Sequence, residues 1–222
     1  MGKVHTKFLL TEGKDDVFAI ASLMSNYVAW GANANEWPVM IKSAGSVEEL
    51  LNGAYINANL KTSGLEALGI VLDANDSFEG RWQQLQQLFR PVFPKIPGTM
   101  DPNGLIIEND SGLRLGVWIM PDNCSRGMLE TFLAHLVPDA SEAVWQEAIS
   151  ASDRAHEVGA PFNKECHADK ANIHTWLAWQ DPPGRPFGVA LKNTCLDPLV
   201  PQAKAFARWF IELYGLESIR SA

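Results

Sequence analysis

The sequence predicts an α/β fold: a parallel sheet core flanked by helices, with a helical C-terminal portion. Three observations predict it. Residues 1–90 alternate strand-like apolar runs with helix-like stretches, three of each, which is the pattern of a parallel sheet with crossover helices. Leu68-Gly69-Ile70-Val71-Leu72 is apolar throughout, as suits a parallel strand covered on both faces. From residue 141 onward the strand pattern stops and helical periodicity takes over. A chain of 222 residues fits one domain, or one with an insertion. Residues 1–140 are read as the α/β core and 141–222 as a helical portion packed on it.

Residues 4–11 are the first expected strand, closed by Glu12-Gly13. A helix over 15–27 follows, with Val17, Ile20, Ala21, Met24 and Val28 near helical spacing. The Gly- and Asn-rich stretch 30–37 is a loop, and 38–42 a second strand. Ser46, with Glu49 three residues on, forms a capping box for a helix over 47–60. The third strand, 68–72, runs into Asp73-Ala74-Asn75-Asp76, and Trp82, Leu85 and Leu88 give 78–89 an amphipathic helical face. After a proline-rich loop at 91–102, strands at 104–108 and 113–120 flank Asn109-Asp110-Ser111-Gly112, a hairpin turn. Helices are expected over 126–137, 141–158, 164–180 and 199–213, with Pro182-Pro183-Gly184 breaking the chain.

Composition narrows the function classes. The net charge is −8, so the broad basic face of a stand-alone duplex binder is missing. Action on nucleic acid then calls for metal ions or a basic partner to offset the charge. Cys124, Cys166 and Cys195 are odd in number and far apart, which argues against a disulfide framework and for a reducing cytoplasm. No signal peptide stands at the N-terminus and no apolar run reaches membrane-spanning length, so no membrane association is expected. Of the eight Trp, Trp30, Trp37, Trp176 and Trp179 are surface candidates that leave room for a homodimer.

Chemistry points to the strand ends. In a parallel α/β sheet the functional edge is the carboxyl end of the strands. Glu12 and Asp73 each stand just past one such end, and they converge if their strands are neighbours. Asp16 follows Glu12 by four residues and reaches back from the first helical turn. With Asn75 and Asp76 these are hard oxygen donors of the kind that suit Mg²⁺ or Mn²⁺. Any one of them alone is better accounted for as a turn or cap residue, and it is the repeat of the pattern at two strand ends that points to a site.

Thr11-Glu12-Gly13-Lys14-Asp15-Asp16 resembles the first motif of the Toprim fold, in its EGxxD form, and Val71-Leu72-Asp73-Ala74-Asn75-Asp76 resembles the second, DxD motif. Together with Gly116-Val117-Trp118-Ile119-Met120-Pro121-Asp122-Asn123 and Gly127-Met128-Leu129-Glu130, they resemble a Toprim-related family of unknown function, DUF3226, over most of the chain. That family is similar to the Toprim halves of the overcoming-lysogenization-defect (OLD) nucleases and to phage-defence effectors that work with ABC-type ATPases. The resemblance implies a Mg²⁺- or Mn²⁺-dependent nuclease of DNA or RNA, in antiviral defence, with an ABC- or OLD-type ATPase partner. It implies Glu12 as catalytic acid/base or metal ligand, and Asp16 and Asp73 as metal ligands. Asn75 replaces the second acid of DxD, so Asp76 is the candidate substitute. Glu130 is a further metal candidate and Lys170 a catalytic cation for the charge developing on phosphate. The alternative is a catalytically degenerate Toprim module that binds a protein or nucleotide.

Overall fold

Ala67 to Leu72 are buried because β3 (Ala67–Asp73) lies at the centre of a five-stranded sheet. A computed structural model describes residues 5–220. Around β3 stand β1 (Lys7–Thr11), β2 (Met40–Ser43), β4 (Leu105–Glu108) and β5 (Arg114–Met120), in the order β2-β1-β3-β5-β4. The pairs β1·β2, β1·β3 and β3·β5 are parallel, and β4 closes the edge antiparallel to β5. Asn109 turns that hairpin: its Oδ1 accepts from the Ser111 and Leu113 backbone N–H groups, and Gly112 takes the left-handed conformation, φ +82°.

Alternation along the strands divides the core into two layers. Leu9, Val71, Trp118 and Met120 face one way. There they meet α1 (Lys14–Met24), α5 (Leu129–Ala134), α7 (Lys164–Ala178), α8 (Phe187–Lys192) and α9 (Pro201–Tyr214). Phe8, Leu10, Leu68, Ile70 and Leu72 face the other way, against α2 (Val47–Leu50), α3 (Gly53–Leu60) and α4 (Phe78–Phe89). α6 (Glu142–Glu157) packs on α7. The residues after 140 thus share one apolar layer with α1 and the strands.

The chain order sets where a site forms. From β1 the chain passes to β2 on one side, and then returns to β3 on the other. The strand order reverses between β1 and β3, and the crevice at their carboxyl ends is where open α/β sheets bind ligands. Glu12 and Asp73 flank that point.

Several elements differ from the sequence expectation. The helix expected over 47–60 is two helices, because the Asn52 side chain accepts from the Ala54 N–H and caps α3 afresh. The helix expected over 126–137 contracts to α5, since Gly127, at φ +138°, is tied by backbone hydrogen bonds to Asn75. α8 follows Pro186 without a sequence signal of its own. Residue 4 of the first expected strand lies outside the described residues, as do 1–3 and 221–222. Trp176 is fully buried rather than at the surface, while Trp179 is 46 % exposed. Among the described residues no helix is long and apolar enough to cross a membrane.

Candidate functional site

β1 and β3 carry their carboxylates to the same edge. The Asp73 backbone N–H donates to Glu12 Oε1 at 2.8 Å, which joins the two strand ends. Asp16 lies in the first turn of α1 and reaches back, its Oδ2 accepting from the Gly13 N–H at 2.9 Å. Asp73 Oδ1 accepts in turn from the N–H of Leu129, the first residue of α5, at 2.9 Å. That contact sets Glu130, 5 % exposed, beside the strand ends. Lys170 comes in from α7, its Nζ 2.8 Å from Glu130 Oε1. Five of the residues singled out in the sequence thus gather from the turn after β1, α1, β3, α5 and α7.

Their electrostatics are those of a crowded, poorly solvated group of acids. Burial pushes the Asp16 carboxyl up to about 7, and the charges of Glu12 and Glu130 push the same way. Burial likewise holds Asp73 well above the ordinary carboxylate range, helped by the charges of Glu12, Asp16 and Glu130. Glu12 is raised by burial, against the Asp73 N–H and the Arg81 guanidinium, which favour its ionised form. Lys170 is raised, first by its hydrogen bond to Glu130. Like charges withdrawn from water repel, and the one ammonium paired with this group among the described residues cannot balance four carboxylates. Such a group attracts cations.

Asn75 and Asp76 are placed differently. Asn75 adopts a left-handed backbone, φ +51°, that asparagine tolerates better than most side chains. Its N–H donates to the Gly127 carbonyl at 2.7 Å and its carbonyl accepts from the Gly127 N–H at 3.0 Å. Asp76 is exposed, and its Oδ1 accepts from the Cys166 thiol at 3.7 Å. Sequence reading passed over three neighbours. Thr131 accepts from the Met128 N–H at 3.1 Å and donates to Asp169 at 2.6 Å, tying α5 to α7 one residue from Lys170. Arg81, on α4, acts on Glu12. A lone Arg inside an amphipathic helix carries no sequence signal; only the placement of α4 gives it meaning.

The donor set suits a divalent cation in one respect. In Glu12 and Asp73 one carboxylate oxygen is oriented by a backbone N–H, while the other has no hydrogen-bond partner among the described residues. Oriented ligands of this kind are what metal sites use. Yet among the described residues no three His, Cys, Asp or Glu side chains stand as a ready-made cage for an ion. Each of the four acids instead turns an oxygen to a backbone N–H or to Lys170.

Comparison with curated proteins and with solved structures yields no match. A family model described as a protein of unknown function, DUF3226, matches residues 6–215, a span that holds every element from β1 to α9, and the chain belongs to that family.

Proposed function

We propose that the chain is a Mg²⁺- or Mn²⁺-dependent phosphodiesterase acting on DNA or RNA. One observation carries the reading: Glu12, Asp16, Asp73 and Glu130 meet at the strand-order reversal, withdrawn from water and, among the described residues, ion-paired with one ammonium alone. Glu12, Asp16 and Asp73 would hold the ion with Glu130, and Asn75 or Asp76 would assist from the adjoining loop. A bound divalent ion there supplies Lewis-acid stabilisation of charge on a phosphate. Glu12 sits at the open edge with one oxygen unpartnered, placed to take or return a proton. Lys170 keeps Glu130 oriented and brings a half-exposed positive charge to the edge where a phosphodiester would lie.

The resemblance of the EGxxD and DxD-like segments to Toprim motifs supports this reading, since those segments include three of the gathered acids. The acidic balance of the chain favours a partner that helps hold nucleic acid, an ABC- or OLD-type ATPase in antiviral defence, with the cytoplasm as its place of action. Trp179, 46 % exposed, is the candidate contact for a homodimer.

A second reading, a degenerate Toprim module that binds without cutting, is favoured by Asn75, whose backbone role replaces an acid at the second DxD position. Metal titration separates the two. A native-state ligand stabilises by about 2.7 kcal/mol at a hundredfold excess over its Kd, so millimolar Mn²⁺ should raise the melting temperature by several degrees. Purified protein offered DNA, tRNA and total RNA with Mn²⁺ should cut one of them. Cleavage that persists in Glu12→Ala defeats the assignment, and a melting temperature indifferent to Mn²⁺ supports the binding module.

A further inference from the structure

Beside the carboxylates lies a groove of about 560 Å³ between the loop after β3, the loop before α5 and the start of α7. Its size is within the ~300–1,000 Å³ of ligand sites. Arg81 lines it, and also lines two adjoining hollows that run along α4. The three make a trough centred on Arg81 rather than a closed pocket. No Phe, Tyr or Trp lines any of them, so the trough offers no platform on which bases stack.

Its charges divide into those already engaged and those left over. Lys164 is ion-paired with Asp153 at 2.7 Å. Asp169 accepts from Thr131, and Asp76 from Cys166. Glu48 and Glu165 sit in the first turns of α2 and α7, where helix N-terminal N–H groups favour them. Arg81 hydrogen-bonds only to the neutral Gln84 amide, at 3.1 Å, and pairs with no described carboxylate. Arg126, on the loop before α5, is exposed and has no hydrogen-bond or ion-pair partner among the described residues. Two guanidiniums, one on α4 and one on the loop before α5, thus line the trough without an ion pair among the described residues. Arg81 is also near enough to Glu12 for its charge to act there, and Asn75, Asp76, Met128 and Asp169, which line the groove, are close in sequence to Asp73, Glu130 and Lys170.

We infer that this trough seats the sugar–phosphate backbone of a polynucleotide strand next to the bond to be cut, with Arg81 and Arg126 as its phosphate contacts. The inference rests on the phosphodiesterase reading for the chemistry at the carboxylates. Guanidinium–phosphate contacts position a strand and carry no sequence information. Binding is thus expected to be indifferent to base identity and strongly dependent on salt.

The test uses the full chain with Ca²⁺, which offsets the charge of the acids while replacing the Mg²⁺ or Mn²⁺ that would support cleavage. Fluorescein-labelled oligothymidylate and oligouridylate are titrated separately, with anisotropy read across a salt series. Arg81→Gln/Arg126→Gln should weaken binding about tenfold and flatten the slope of log K against log salt by roughly 1.4, about 0.7 for each arginine. Arg126→Gln alone, at an exposed residue with no partner to lose, should give about half of that slope change. Unchanged melting temperatures show that the variants are folded. The two arms report whether DNA, RNA or both are held. Failure of both oligonucleotides to bind the wild-type protein, or equal binding by the folded double variant, overturns the inference. Arginine-dependent binding without cleavage in Mn²⁺ upholds the trough while removing the phosphodiesterase. Cleavage by a double variant that binds as the wild type does the reverse.

Discussion

Asp16 is the residue at which the cost of the site is most open to measurement. It is 7 % exposed, and its carboxyl is pushed from 3.8 to about 7 on folding. The folded state therefore keeps a proton that the unfolded chain has lost between these values. Stability from this group is fully present below pH 3.8 and is lost as pH rises to about 7. At about 1.4 kcal/mol per tenfold change in proton affinity, the loss approaches roughly 4 kcal/mol above pH 7. Asp16→Asn keeps an oxygen for the Gly13 N–H and removes the charge. In EDTA it should melt higher than the wild type at pH 8 and alike at pH 4. Mn²⁺ at pH 8 should narrow the gap by stabilising the wild type more. A wild type that equals or exceeds Asp16→Asn at pH 8 without metal would show that the acids are not strained.

The element that decides the shape of the C-terminal layer is α9, and two glycines admit it. Gly69 on β3 and Gly116 on β5 are direct partners across the sheet. A Cβ at Gly116 would overlap the Leu213 side chain, and one at Gly69 would overlap the Tyr214 hydroxyl. That hydroxyl is buried and donates to the Phe8 carbonyl at 2.7 Å, while Trp209 Nε1 donates to the Leu105 carbonyl at 3.0 Å. α9 is thus held to the sheet by close approach and by two polar contacts as well as by its apolar face. Gly116→Ala should lower the unfolding free energy in urea by about 1–3 kcal/mol, the usual cost of overpacking. Gly98→Ala, where a Cβ meets nothing within 4 Å, should change it by no more than about 0.5 kcal/mol. Equal effects at the two positions would mean that α9 does not press on the sheet as described.

For the whole molecule, the shared apolar layer has a thermodynamic consequence. Phe206, Trp209, Phe210 and Tyr214 pack among Leu9, Trp118 and Phe132. Burial of about 2 kcal/mol for each of the four aromatics is already comparable to the ~5–15 kcal/mol that stabilises a domain. The chain should therefore unfold in one calorimetric transition whose calorimetric and van't Hoff enthalpies agree. A chain ended after Pro198 should lose both cooperative melting and near-UV circular dichroism. Retention of either would make the chain up to Pro198 a unit that stands without α9.

The alternation of strands and helices, the buried run at 68–72, the hairpin at Asn109–Gly112 and the N-cap at Ser46 were legible because each rests on local chemistry: side-chain period, turn residues and backbone capping. Glu12, Asp16 and Asp73 were legible too, since strand ends in a parallel sheet share an edge. What the sequence could not decide was which strands lie side by side, and hence whether Glu12 reaches the Asp73 N–H. Nor could it show that Asn75 is held by its backbone to Gly127, that Lys170 meets Glu130 from an element forty residues further on, or that Arg81 stands between the acids and a trough. Those relations depend on the layering of helices over the two faces of the sheet, which is set by the packing of the whole chain and written in no single stretch of it.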